Sequence, residues 1–309
     1  MPRAHLRIAH AVCEVDADSG NECAAGCVTF AVDHLPEALM RRVFASAVLL
    51  FAAATLHAQS WSTGSCNGDE GNTHNNWLFG HSDRACELRR TVVPLVDGQL
   101  SVTGTNGGIE VIGEDRTDIG LEARVTAQAS SAEDAKSTLQ QIKIITTGVI
   151  HAEGPESSGW SHRGWSVNYR LHVPRHLATH LTTVNGGIEL SHLDGDLRAE
   201  TTNGGLSLSD LAGDVHATTI NGGVTLELSG DRWQGAGLFA ESTNGGISAT
   251  APDRYSAHLV AETVNGGISV DFPITVQGDI KNHIDTNLGD GGPTIQMKTV
   301  SGGVSIAKD

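Results

Sequence analysis

The sequence predicts an all-β chain wound as a repetitive β-solenoid with coils of about 18 residues, plus a short helix in an N-terminal capping region. Three observations predict it. An Asn-Gly-Gly tripeptide recurs, its flanks alternate with period two, and a second corner built on Gly-Asp falls between successive copies. Composition agrees. Glycine is high at 37, proline low at 8 and aromatic residues only 4%. A compact globular core normally leans on aromatic side chains for buried area, so this chain points to a thin core repeated along an axis.

The tripeptide begins at Asn106, Asn185, Asn203, Asn221, Asn244 and Asn265, with Ser301-Gly302-Gly303 as a variant. From Asn185 the steps are 18, 18, 23 and 21 residues, and the last is 36, twice 18, which leaves room for a degenerate coil. Three positions after each corner start stands an aliphatic residue (Ile109, Ile188, Leu206, Val224, Ile247, Ile268, Val304), and two further on stands another small or large one. Two before it comes Thr or Ser in nearly every copy, and four before it, in the middle copies, Ala199, Ala217, Ala240 and Ala261. This is strand alternation rather than helix spacing.

The second corner reads Leu193-Asp194-Gly195-Asp196-Leu197 and Leu211-Ala212-Gly213-Asp214-Val215, echoed by Leu228-Ser229-Gly230-Asp231. Glycine there supplies positive φ, and Asp can bond its own backbone. Positive φ is also expected at the corner glycines Gly204 and Gly222. Two architectures fit such a coil: an antiparallel meander of Asn-Gly hairpins, or a solenoid in which like positions stack in ladders. Recurrence of the same residue type at the same coil position favours the solenoid, which takes residues 181–309.

Residues 91–180 lead into it. Ile119 to Ala127 alternates as a strand, and Ser130-Ser131-Ala132-Glu133 is a capping box opening a helix with Ala135, Leu139 and Ile142 on its apolar face. Lys143 to Ile150 and Trp165 to Val173 read as strands, the second ending at Pro174. This region is expected to cover the solenoid's N-terminal edge. Upstream, Met40-Arg41-Arg42, an apolar run from Val43 to Leu56 and His57-Ala58 form a signal peptide over 40–58, with cleavage after Ala58. The run is 14 residues, too short to span a bilayer comfortably. Residues 1–39 read as a non-native upstream extension, and their Cys23 and Cys27 lack a second pair to complete a metal site. In the exported protein the remaining pair, Cys66 and Cys86, reads as a disulfide closing a Gly/Asn-rich segment over 59–90.

From about Cys86 to the C-terminus the chain resembles the bacterial putative-adhesin domain family. The Asn-Gly-Gly corners carry the resemblance, together with Val167-Asn168-Tyr169-Arg170-Leu171-His172-Val173-Pro174 and Leu288-Gly289-Asp290-Gly291-Gly292-Pro293. It implies an exported β-solenoid with no recognised catalytic residues.

The residues themselves offer little chemistry. Asp194, Asp196, Asp210, Asp214 and Asp231 could pair for glycoside hydrolysis, yet they recur with the scaffold, as turn caps do. Asp194-Gly195-Asp196 suits an oxygen-rich calcium site, but the calcium-binding nonapeptide does not recur. His172, His176 and His180 are spaced by four, and Pro174 among them opposes a helix. On strands they share an outward face. Trp160 and Trp165 are either a carbohydrate platform or packing over a solenoid end. A net charge of −16 opposes nucleic acid and anionic membrane surfaces. No catalytic, cofactor or metal residues are assigned. The expected function is that of an exported, non-catalytic, adhesin-like or structural surface for an envelope, glycan or protein ligand, in the periplasm, on the cell surface or secreted, with no membrane insertion after signal cleavage. The alternatives are a polysaccharide-active enzyme and an envelope-sensing partner of a membrane regulator.

Overall fold

Period-two alternation on both sides of each corner folds as strands on both sides of each corner. The computed structural model describes residues 60–66, 83–96, 98–156, 163–274 and 281–309, all within one compact unit, Ala58–Asp309. The expected signal peptide, the segment before it with Cys23 and Cys27, and Trp160 lie outside the described residues.

Along the chain run β1 (Ser62–Ser65), β2 (Asp83–Val93), β3 (Gln99–Asn106), β4 (Ile109–Glu114), β5 (Ile119–Ala129), α1 (Ala132–Gln141), β6 (Lys143–Ile145), β7 (His151–Glu153) and β8 (Gly164–Pro174). The repeats follow as β9 (Ala178–Asn185), β10 (Ile188–Ser191), β11 (Asp194–Asn203), β12 (Leu206–Ser209), β13 (Ala212–Asn221), β14 (Val224–Glu227), β15 (Gly237–Asn244), β16 (Ile247–Ala251), β17 (Ala257–Asn265) and β18 (Ile268–Val270). Last come β19 (His283–Leu288), β20 (Thr294–Ser301) and β21 (Val304–Lys308). The expected all-β class holds, with a single helix among the described residues.

These strands form two large sheets and a small one. The first sheet has eleven strands in the order β1-β2-β5-β8-β4-β10-β12-β14-β16-β21-β18, the second eight in the order β19-β17-β20-β15-β13-β11-β9-β3, and β6 pairs with β7. The two strands that flank an Asn-Gly-Gly corner always lie in different sheets, and equivalent strands of successive repeats pair in parallel. An antiparallel meander of hairpins is therefore excluded. In register, Ile109, Ile188, Leu206, Val224, Ile247, Val304 and Ile268 form one aliphatic row of the first sheet. Facing rows in the second sheet carry Leu197, Val215, Leu238, Ile295 and Leu259, then the small Ala199, Ala217 and Ala240. All of these but Ile268 are buried to 3% exposure or less, so the core is a strip between the sheets. Burying an aliphatic side chain of this size contributes about 1.5–3 kcal/mol.

Two expectations change. The 36-residue gap before Ser301 contains no degenerate coil among the described residues: β19 pairs antiparallel with β17. The chain then turns back through Gly289, Gly291 and Gly292, at φ 52°, 76° and 150°. It inserts β20 between β15 and β17, and β21 between β16 and β18. The last repeat in sequence is thus not the last in space. The capping box also moves by one residue. Ser131 is the N-cap, its Oγ accepting from the Asp134 N–H at 3.1 Å, because Asp134, three residues on, can face the cap as Glu133 cannot. Expected strands at 119–127 and 165–173 match β5 and β8, while of the expected strand at 143–150 only Lys143–Ile145 is one (β6): the chain turns around Gly148, at φ 72°, and β7 begins at His151.

The region before the repeats extends the first sheet. β8 pairs parallel with β4, β5 antiparallel with β8, and β2 antiparallel with β5. Helix α1 packs on β5 and β2, and Arg89 donates to the carbonyls of Ile142 (2.6 Å) and Leu139 (3.0 Å) at its end. Cys66 and Cys86 form the expected disulfide. Closing a loop of this length stabilises by about 3 kcal/mol in the chain-entropy model. Cys66→Ser with Cys86→Ser is expected to lower the unfolding free energy by about that amount, read as an earlier urea midpoint. No change would mean that the segment is held by other contacts.

Candidate functional site

The Asn-Gly-Gly corners are built for stacking. Four of the six corner asparagines donate from Nδ2 to Oδ1 of the Asn on the neighbouring strand: Asn185 to Asn106 (2.9 Å), Asn203 to Asn185 (3.0 Å), Asn221 to Asn203 (2.9 Å) and Asn244 to Asn221 (3.0 Å). Ser301 follows Asn244 in register and ends the ladder. Thr201 and Thr219, both buried, donate at 2.8 Å to the carbonyls of Gly186 and Gly204 on the neighbouring corner. The expected positive φ at Gly204 and Gly222 is not found. Neither lies in the left-handed region; instead a Cβ on Gly204 would run into the carbonyl of Gly186, and one on Gly222 into that of Gly204. Close approach of backbones, not turn geometry, excludes a side chain there. The Gly-Asp corners do behave as expected, with Gly195, Gly213 and Gly230 at φ 153°, 98° and 75°.

Outside the first sheet this geometry leaves a long trough. Its floor is the row of second glycines, Gly108, Gly187, Gly205, Gly223, Gly246, Gly303 and Gly267, and its side is the outward row of half-buried Glu110 and exposed Glu189, Ser207, Thr225, Ser248, Ser305 and Ser269. Two adjoining hollows of about 650 and 520 Å³ share Gly223 and Thr225. Seven strands at a spacing of about 4.8 Å make the trough roughly 29 Å long. Apart from the two glutamates at one end, its side is neutral and hydroxyl-bearing.

Of the five corner carboxylates, Asp194 and Asp210 line one hollow and the other three do not join them there. Asp194 faces His176 at 2.9 Å, Asp196 faces Arg198 at 3.3 Å and Asp214 faces His216 at 3.1 Å. Asp210 lies 3.7 Å from His192 and accepts from Ser229 Oγ at 2.6 Å. A shallow hollow of about 230 Å³ holds His176, His192, Asp194, Asp210 and Ser229. Asp231 acts at a distance on Tyr255, whose hydroxyl burial and that charge both hold above the usual tyrosine pKa. Among the described residues no three His, Cys, Asp or Glu side chains are placed to hold a metal. His172, His176 and His180 point away from the core while Leu171, Val173, Leu177 and Leu181 are buried in it, as the strand reading requires. They do not converge, since His172 meets Glu114 at 2.6 Å and His176 meets Asp194.

A second cavity, of about 310 Å³, sits where β3 and β8 face each other, lined among others by Thr105, Asn106, His151, Trp165, Val167 and Tyr169. Trp165 lies on the same strand face as Val167 and Tyr169, with its indole N–H donating to the Pro155 carbonyl at 2.8 Å and its ring against Gly154. Tyr169 is 3% exposed, its hydroxyl has no partner among the described residues, and burial holds its pKa above the usual range. An unsatisfied buried hydroxyl costs about 1–3 kcal/mol. The sequence flagged Trp165 through its type alone. Tyr169 reads as an ordinary inward residue of an alternating strand, and no local signal marks it.

No family model matches the chain, and no curated protein matches it. Solved structures are similar at low identity. A putative cell adhesion protein from Clostridium sporogenes is 14% identical with a TM-score of 0.39, over 74% of this chain and 100% of that one. A putative adhesin from Bacteroides fragilis is 12% identical with a TM-score of 0.29, over 72% and 97%. Another from Parabacteroides merdae is 10% identical with a TM-score of 0.27, over 72% and 96%.

Proposed function

We propose that the chain is an exported, non-catalytic, adhesin-like β-solenoid, and that the trough along its Asn-Gly-Gly corners binds an extended neutral glycan. The observation that carries this is the trough: one neutral, hydroxyl-bearing side repeated across five of its seven strands, at Ser207, Thr225, Ser248, Ser305 and Ser269, offers the same contact at each step. A polymer with a regular repeat gains from such a surface by multivalency, many weak equivalent contacts adding to one useful affinity. Alternation of the chain between two sheets, with parallel in-register stacking, supports the solenoid reading. The Cys66–Cys86 disulfide fits an oxidising compartment. Separate partners for Asp194, Asp196 and Asp214 support the non-catalytic reading.

Purified full-length protein on an array of envelope and host polysaccharides tests this. Thr225→Lys and Ser248→Lys place long side chains over the trough from exposed positions, so each is expected to cut binding at least tenfold with an unchanged melting temperature. Binding that survives both variants would move the surface elsewhere, and release of new reducing ends from a bound polysaccharide would replace the adhesin with an enzyme.

A further inference from the structure

The cavity between β3 and β8 collects hydrogen-bonding groups that the fold leaves unmet. Tyr169 contributes a buried hydroxyl with no partner among the described residues. Asn106 is the first member of the asparagine ladder: it accepts from Asn185 but has no earlier Asn to receive its own Nδ2 hydrogens. Thr105 contributes backbone. β3 is the edge of its sheet, and beyond it, among the described residues, only Ile150 pairs, accepting from the Thr103 N–H and donating to the Ser101 carbonyl, both at 2.8 Å. Strand alternation points the N–H and C=O of Thr105 to that same side, past the place where Ile150 has left the edge. Asn106 and the Thr105 backbone thus present donors and an acceptor to one space, and the Tyr169 hydroxyl lies buried in its wall.

The fourth component is apolar. Trp165 is fixed by its bond to Pro155 and by Gly154 beneath it, so its indole enters the cavity as a rigid surface whose own N–H is already satisfied. A ligand here must therefore offer an apolar face to an aromatic ring and hydroxyls around its rim. Nor does the cavity suit an anion: among the described residues the lining holds no Lys or Arg, His151 stands 3.6 Å from Glu153, and the chain carries a net charge of −16. About 310 Å³ is at the small end of the range for ligand sites, roughly 300–1,000 Å³, and gives room for a single ring with its substituents.

We propose that this cavity is a binding site for one neutral sugar ring, stacked on Trp165 and hydrogen-bonded by Tyr169, Asn106 and the Thr105 backbone. Of its lining residues only Tyr169 also lines the trough, and the assignment stands whether or not the trough binds glycan. The test is saturation-transfer NMR on the full-length protein with glucose, galactose, mannose and N-acetylglucosamine, alongside glucuronic acid. At least one neutral sugar is expected to bind at millimolar concentration, more tightly than glucuronic acid. Tyr169→Phe keeps the ring and removes the hydroxyl, so it is expected to weaken that binding at least tenfold while its melting temperature stays the same or rises. Asn106→Ala gives a second reading, with weaker sugar binding expected. Absence of binding by every neutral sugar, equal binding by Tyr169→Phe, preference for the acid, or a lowered melting temperature of unliganded Tyr169→Phe would each overturn the assignment. The last would place a structural partner on the hydroxyl.

Discussion

Gly204→Val is expected to destabilise the protein by about 3 kcal/mol, because the new side chain must displace the backbone of the neighbouring corner. The Cβ position already overlaps the Gly186 carbonyl, so Gly204→Ala is expected to be nearly as damaging. That carbonyl also accepts from Thr201 at 2.8 Å, and pushing it aside disturbs a buried hydrogen bond along with the packing. The second glycine of the motif is less constrained. A Cβ on Gly205 would meet the Gly223 carbonyl at 3.3 Å, a contact that a small shift relieves, and Gly205→Ala is expected to cost about 1 kcal/mol. Gly267 is the matching glycine of β18, at the edge of its sheet, and has nothing within 4 Å. Gly267→Ala is expected to be neutral within about 0.5 kcal/mol. Urea midpoints of the four variants separate close approach from turn strain. If φ were the cause, Gly204→Val and Gly204→Ala would differ little from substitutions at any turn, and the rank order Gly204, Gly205, Gly267 would not appear.

Much of this architecture was legible because it is written as ladders. The period-two flanks located the strands, and identical residue types at identical coil positions are what parallel in-register stacking produces, as with Ala199, Ala217 and Ala240. Inward and outward faces followed directly, including the outward His172, His176 and His180. The reason for the corner glycines was not legible. A Gly that allows positive φ and a Gly that admits a neighbouring backbone look the same in sequence, and only the position of Gly186 against Gly204 separates them. Candidate sites were less legible still. The trough is an absence of side chains above the glycine row. The cavity depends on where a ladder starts, at Asn106, and on which residue of β8 faces it across the core. Both are properties of tertiary arrangement: Asn106 bonds to Asn185, 79 residues later, with no local pattern to announce it.

Spatial order was the other feature hidden from the sequence, and it carries the second large prediction. In a sequentially stacked repeat protein the final repeat is an end, and removing it trims the stack while the rest persists. Here residues 294–309 form β20 and β21, which lie inside both sheets. β20 pairs with β15 on one side and β17 on the other, β21 with β16 and β18. Ile295, Met297, Val304 and Ile306 are at most 2% exposed, and Thr299, fully buried, donates to the Gly245 carbonyl at 2.7 Å. Each aliphatic side chain lost removes about 1.5–3 kcal/mol of burial, against a total stability of about 5–15 kcal/mol for a typical domain. Deleting 294–309 is therefore expected to abolish cooperative folding of the repeats from β15 onward. Amide hydrogen exchange on the truncated protein should show protection lost across 237–270, well before the deletion in sequence. A truncated protein that kept protection at 257–265 would require β17 to pair with β15 directly, a closure that Asn265 beside Asn244 could extend as a ladder. The same insertion places strands synthesised after β17 among the most central to be packed, so the half-formed stack must wait for them. Refolding of the full chain is accordingly expected to show protection at 257–265 appearing together with that at 294–301 and not before it.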